Sequence, residues 1–220
     1  MQKNPFTLPY DKLPVTLPVF PLEGTIVMPG TDLPLNIFES RYLHMVFDVL
    51  GIHRMLGMVQ PIPASSAASA PSLAATGCAG RIKWFNETDD GRILIVLAGV
   101  CRFDVGEEIA TTRPYRRVVA DWRRFSTDYE ETDADIPDRH HIMALLRTYS
   151  ATLGLDIAWD ELSKLSGTAL INLLSTRLPL NPNDKQALIE AVRVVDRAQL
   201  LSALLEMYIA HPKQAPTTRH

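Results

Sequence analysis

The sequence predicts an α+β chain in which a β-rich half precedes a helical half. Prolines and short apolar runs punctuate roughly the first 125 residues, as in short strands joined by turns. Beyond the acidic stretch Asp128-Tyr129-Glu130-Glu131-Thr132-Asp133, apolar residues recur at helical spacing. The boundary drawn from this change gives a β domain over 1–127 and a helical bundle over 128–220.

In order, Val15 to Leu22 is expected to be extended, because each proline in Leu17-Pro18-Val19-Phe20-Pro21 disfavours helix at itself and just before it. Glu23-Gly24 and Pro29-Gly30 are turn signals flanking Thr25 to Met28, and Leu33-Pro34-Leu35 follows. One helix interrupts the strands: Phe38, Tyr42, Met45, Val46 and Val49 share a face, Asn36 and Glu39 have capping-box spacing, and Gly51 supplies a stop. Residues 61–76 contain Pro63-Ala64-Ser65-Ser66-Ala67-Ala68-Ser69-Ala70-Pro71, with no large apolar side chain, and read as a mobile surface loop. Further strands are expected over 80–85, 93–97, 101–105 and 116–125, with Asp89-Asp90-Gly91 as a hairpin connection. Ile93 to Leu97 is apolar throughout and predicts burial on both faces. So many short strands point to a barrel or sandwich.

In the second half, Ile142, Leu145, Leu146, Tyr149 and Leu153 make one helical stripe, and Leu170, Leu173, Leu174 and Leu178 another. Leu178-Pro179-Leu180 breaks the chain and Asn181-Pro182 restarts it. The stripe Leu188, Val192, Val195 is read as continuing through Leu201, Leu204, Leu205 and Tyr208.

The chemistry is sparse. Hydrophobic residues are 46%, charged residues 21% and the formal charge is -3, which gives no long-range field for nucleic acid. Cys78 and Cys101 have no metal-knuckle or CxxC spacing and are expected to be small buried hydrophobes. His140-His141 point about 100° apart on a helix and His44 and His53 are isolated, so no metal is expected. There is no GxSxG elbow and no GxxxxGK[ST] loop, so neither a catalytic residue nor a nucleotide cofactor is expected. The sequence opens without an apolar leader and has no membrane-length apolar run, which makes a cytoplasmic location without membrane partners the default expectation. Arg113, Arg116, Arg117, Arg123 and Arg124, interleaved with Tyr115 and Trp122, are the one basic-aromatic concentration. RNA binding is the alternative function they raise, though alternate residues of a strand face opposite ways and an edge strand protected by charge explains them as well.

Taken together, Leu17-Pro18-Val19-Phe20-Pro21-Leu22, Met28-Pro29-Gly30 and Leu33-Pro34-Leu35-Asn36-Ile37-Phe38-Glu39-Ser40-Arg41-Tyr42 resemble the opening signature of the Lon protease N-terminal, substrate-binding domain family. Gly77 to Ile82, Leu97 to Phe103, Pro114-Tyr115, Leu178-Pro179-Leu180 and Lys185 to Ala191 continue the resemblance over about residues 13–210. It implies a PUA-like pseudo-barrel followed by a helical bundle, and a non-enzymatic module that binds unfolded or partner protein segments in protein quality control. Standalone bacterial members imply a protease or chaperone acting in trans. Ser163-Lys164 does not match the family's serine-lysine pair, which belongs to a peptidase domain not found here. Phe38, Arg41 and Tyr42 lie within the matching signature and are the candidate protein-binding residues.

Overall fold

The computed structural model describes residues 6–62, 71–130, 136 and 138–211. The chain divides into two compact units, Met1–Glu131 and Thr132–His220. The first is a mixed sheet curled into a barrel and the second is helical, so the α+β class holds.

The barrel unit contains β1 (Thr16–Pro21), β2 (Asp32–Ile37), helix α1 (Ser40–Leu50), β3 (Met55–Val59), β6 (Thr76–Glu87), β7 (Ile93–Glu108) and β8 (Arg117–Asp121). Between β3 and β6, β4 (Pro61–Ile62) and β5 (Ser72–Leu73) pair with each other. The strand order is β2-β7-β6-β3-β1-β8, and β8 returns to pair with β7, which closes the ring. Closure depends on the length of β7. Its first half pairs with β2, from Ile37↔Ile93 to Asp32↔Ala98, and its second half with β8, at Asp104↔Asp121 and Val105↔Ala120. Its other edge runs along β6 from Glu87↔Ile93 to Thr76↔Asp104.

Several expectations need correcting. The runs 93–97 and 101–105 are one strand, because Gly99 lets the backbone of the Met28–Thr31 turn come against it: Gly30 N–H donates to Gly99 O at 3.0 Å and Gly99 N–H to Thr31 O at 2.8 Å. A Cβ at Gly99 would stand 2.1 Å from Met28 O, a backbone atom. Gly99→Ala is therefore expected to cost about 1–3 kcal/mol of overpacking, read as a lower urea midpoint. Ile93, Ile95 and Leu97 are fully buried while Leu94 and Val96 are only half-buried, so β7 has one inner face and not two. β3, unexpected from the sequence, is buried at every residue, which leaves no alternation to detect. The 116–125 run is strand only over Arg117–Asp121, and Arg123–Tyr129 turns into a 3-10 segment. The expected loop 61–76 is strand-paired at both ends, and residues 63–70 lie outside the described residues.

That 3-10 segment seals the seam between β2 and β8. Where β7 has left β2 and not yet met β8, Arg102 N–H donates to Asp128 Oδ2 at 2.9 Å. The Arg102 side chain, fully buried, adds Nε to Oδ2 at 3.0 Å and Nη2 to Oδ1 at 2.7 Å. Its guanidinium carbon lies 4.4 Å from the centre of the Phe125 ring. Cys78 and Cys101 are free thiols in this wall, both buried, and burial pushes both thiols up from their ordinary pKa.

The second unit contains α2 (Arg139–Leu153), α3 (Trp159–Ser163), α4 (Gly167–Arg177), α5 (Pro182–Glu190) and α6 (Val194–Ala210). Ile142, Leu146, Tyr149, Leu170, Leu174, Leu201 and Leu205 form its core, with Leu145, Leu153 and Leu173 packed against them. Pro182 stands at the start of α5 after Asn181, as expected, although the Asn181 side chain makes no cap bond. The stripe read as running from Leu188 through Tyr208 is broken at 191–193. Arg197, 2% exposed, causes the break to persist: Nε donates to Leu188 O at 3.2 Å, Nη2 to Ala191 O at 2.9 Å and Nη1 to Asn172 Oδ1 at 2.6 Å. A guanidinium thus donates to the carbonyls that end α5. Lys185, also buried, sends its ammonium to Thr176 O at the end of α4, and burial lowers its pKa. Among the described residues no buried side-chain nitrogen or oxygen lacks a hydrogen-bond partner.

Candidate protein-binding surface

The last residue of β2, Ile37, is buried and paired with Ile93. The backbone is still extended at that point, so Phe38 leaves the sheet instead of starting a helix. Its side chain is 63% exposed, with the Arg92 guanidinium 6.0 Å from its ring centre. Asn36 is a β2 residue and no capping box forms. The cap position is Glu39, whose side chain makes no cap bond, and α1 starts at Ser40. The carboxylate of Glu39 turns instead to Arg41, accepting from Nε at 2.9 Å and lying 2.7 Å from Nη2.

Arg41 is exposed, and its guanidinium carbon sits 4.5 Å from the centre of the Tyr42 ring. Tyr42 itself is 5% exposed and packs on Phe20, ring centres 4.1 Å apart. Burial raises the Tyr42 pKa, with Arg41 pulling the other way. Phe38 and Arg41 thus stand on the surface, while Tyr42 anchors α1 to β1 and supports Arg41 from below.

Exposed apolar residues that the sequence reading passed over lie close by in the ladder. Trp84 and Phe85 of β6 are opposite Val96 and Ile95 of β7, and both are exposed. The signal was present: two large apolar neighbours on a strand must face opposite sides, so a barrel cannot bury both in its interior. Phe47 on α1 and Ile52 just after it are exposed as well.

The arginines that raised RNA binding are dispersed among carboxylates. Arg113 meets Asp48, Arg116 meets Glu108, Arg123 meets Asp121, Arg124 meets Asp104, and Arg117 donates to Thr16 Oγ1. Arg123 holds the Asp121 carboxyl down at about 2. Ser163 and Lys164 do not meet: the hydroxyl donates to Asp160 O and the ammonium pairs with Glu161. His141 bonds Glu206, and among the described residues no three His, Cys, Asp or Glu side chains gather as a metal site. No described helix is long and apolar enough to cross a membrane.

Comparison with known proteins agrees with this architecture. The family model of the ATP-dependent protease La (LON) substrate-binding domain matches residues 16–207. A Lon protease of Flavobacterium johnsoniae is 24% identical over 193 residues, which are 86% of this chain and 23% of that protein. Lon protease 2 of Myxococcus xanthus is 23% identical over 198 residues, 89% of this chain and 24% of that protein. The chain therefore spans about a quarter of the length of the curated relatives it matches. A Lon N-terminal domain protein from Xanthomonas campestris superposes with a TM-score of 0.62 at 24% identity, covering 86% of this chain and 97% of that one. The N-terminal domain of a Mycobacterium avium complex Lon protease gives 0.60 at 18% identity, covering 87% and 98%. These two likenesses establish the fold. With the family model spanning both the barrel and the helical unit, the chain belongs to the family of substrate-binding domains of ATP-dependent Lon proteases.

Proposed function

We propose that the chain is a non-enzymatic recognition module that binds unfolded or flexible protein segments, in a protein quality control setting where a protease or chaperone acts in trans. The observation that carries this reading is the outward placement of Phe38 and Arg41 at the β2–α1 junction, held there by the Ile37↔Ile93 pair on one side and the buried Tyr42 on the other. An aromatic ring and a guanidinium on a rigid support are the side-chain types that dominate protein-recognition hot spots. The free edge of β2 does not offer itself as a strand template. The Thr31–Gly99 bonds set the ladder phase so that Pro34 turns its backbone nitrogen outward, where an added strand would need an N–H. Recognition through side chains follows.

The test is a binding titration with a permanently unfolded polypeptide, comparing the parent with Phe38→Ser/Arg41→Ala. The double variant is expected to bind about fivefold or more weakly with an unchanged melting midpoint. A parent chain that binds no unfolded or extended polypeptide would sink the reading. The RNA alternative draws no support from the arginines that suggested it, since carboxylates or a hydroxyl engage each of them.

A further inference from the structure

The charge balance beside β6 differs from that of most of the barrel, where only Arg117 likewise meets no carboxylate among the described residues and donates to Thr16 Oγ1 instead. Arg41, Arg92, Arg113, Arg116 and Arg124 each meet a carboxylate. Arg54 and Arg81 do not: among the described residues no carboxylate lies within ion-pair distance of either. The two are neighbours. Met55 stands opposite Arg81 across the β3–β6 ladder, and Ile82 N–H donates to Arg54 O at 2.8 Å. Partial burial, and then the charge of Arg54, lower the Arg81 pKa, so the two guanidiniums feel each other.

Exposed aromatic rings flank this pair. The Phe6 ring centre is 5.7 Å from the Arg81 guanidinium carbon. Trp84, 49% exposed, shares the outer face of Arg81, because the ladder pairs Arg81 with Ala98 and Trp84 with Val96, with a bulge absorbing Lys83 between them. Two residues of spacing on β7 place Trp84 about 7 Å further along the strand. Lys83 itself is neutralised by Asp32. Along this stretch β6 is paired with β7, and with β3 as far as Arg81, so Arg81 is read through its side chain.

We propose that Arg54 and Arg81, with Trp84, form a subsite for an extended protein segment that carries adjacent carboxylates followed by a large apolar side chain. The subsite rests on the protein-binding function proposed above and names a substrate class for it. Two like charges with no counter-ion among the described residues gain from an incoming carboxylate pair, each guanidinium offering a planar fork that matches it. The indole takes the apolar residue that follows. A nucleic acid fits less well, because tracking a phosphate backbone needs a longer row of cations on a chain that is not net acidic.

The experiment is an anisotropy titration of the full chain with a dye-labelled unstructured peptide containing Glu-Glu-Ser-Phe, set against its Gln-Gln-Ser-Phe counterpart, at low and at physiological salt. The acidic peptide is expected to bind about fivefold to tenfold more tightly at low salt, the difference narrowing as salt is added. Arg54→Gln/Arg81→Gln should abolish the difference with unchanged circular dichroism and melting. Arg54→Glu/Arg81→Glu should reverse it in favour of a Lys-Lys-Ser-Phe peptide. Equal binding of the Glu and Gln peptides by the parent chain overturns the subsite and leaves the protein-binding function standing. Failure of every peptide, together with the unfolded polypeptide used above, overturns both. Displacement of the acidic peptide by single-stranded polyuridylate, with a steep salt dependence, overturns the subsite in favour of a nucleic-acid site.

Discussion

Asp128→Ala is expected to destabilise the barrel unit by about 3–5 kcal/mol, the range for removing one partner of a buried ion pair. The carboxylate accepts from the backbone N–H and from two side-chain nitrogens of Arg102. Its side chain is 9% exposed and that of Arg102 2%, so the guanidinium would be left buried against Phe125 without its counter-charge. Asp128→Asn should recover only part of the loss, since the amide keeps one acceptor and loses the charge. Arg102→Met/Asp128→Leu separates the two contributions. If it is closer to the parent than Asp128→Ala is, the stranded charge was the larger one. Urea unfolding followed by tryptophan emission measures this, with Trp122 near the seam, its ring 5.5 Å from that of Phe103. A loss below about 1 kcal/mol for Asp128→Ala, the level of an exposed pair, would refute the sealing role.

The corresponding lesion in the helical unit is Arg197→Met, expected to cost about 2–4 kcal/mol, because several carbonyl-type oxygens lose a charged donor at once. Arg197→Lys should be only slightly better, since an ammonium cannot reach Leu188, Ala191 and Asn172 together. Lys185→Met should cost less, as its ammonium makes a single bond of 3.3 Å to Thr176 O and burial already weakens its charged form. Thermal unfolding by far-UV circular dichroism reports all three. A parent-like melting curve for Arg197→Met would show that the break between α5 and α6 does not depend on that guanidinium.

Neither arginine was visible in the sequence as a core residue, because hydropathy places every arginine outside and only the fold reveals which ones close a seam or end a helix. What was legible is the class of each half: the prolines of β1, the Pro29-Gly30 turn and the leucine spacings of α2 and α4 state their structures locally. What was not legible depends on long-range pairing. Phe38 fits the helical stripe with Tyr42 and Met45, yet the ladder from β7 holds Ile37 extended and moves the helix start to Ser40. β3 hid for the opposite reason, since a strand buried on both faces has no period to read. The same limits governed the candidate surface. Phe38 and Arg41 do stand outside, Tyr42 packs inside on Phe20, and Trp84 and Phe85 lie on the stretch of β6 that is exposed at every residue from Lys83 to Glu87.

The pairing of β1 also governs the order in which the barrel can assemble. Thr16, Leu17 and Pro18 find their antiparallel partners at Val119, Val118 and Arg117, and the seam is sealed only at Asp128. During synthesis the first strand thus emerges long before one of its two neighbours exists, and its other neighbour, β3, can hold one edge while the second waits. Ring closure is a late, non-local event of the kind that slows β-rich folding to milliseconds or longer. A chain in that interval displays the open edge of β1, so under the function proposed above the module passes through a stage in which it resembles its own ligands.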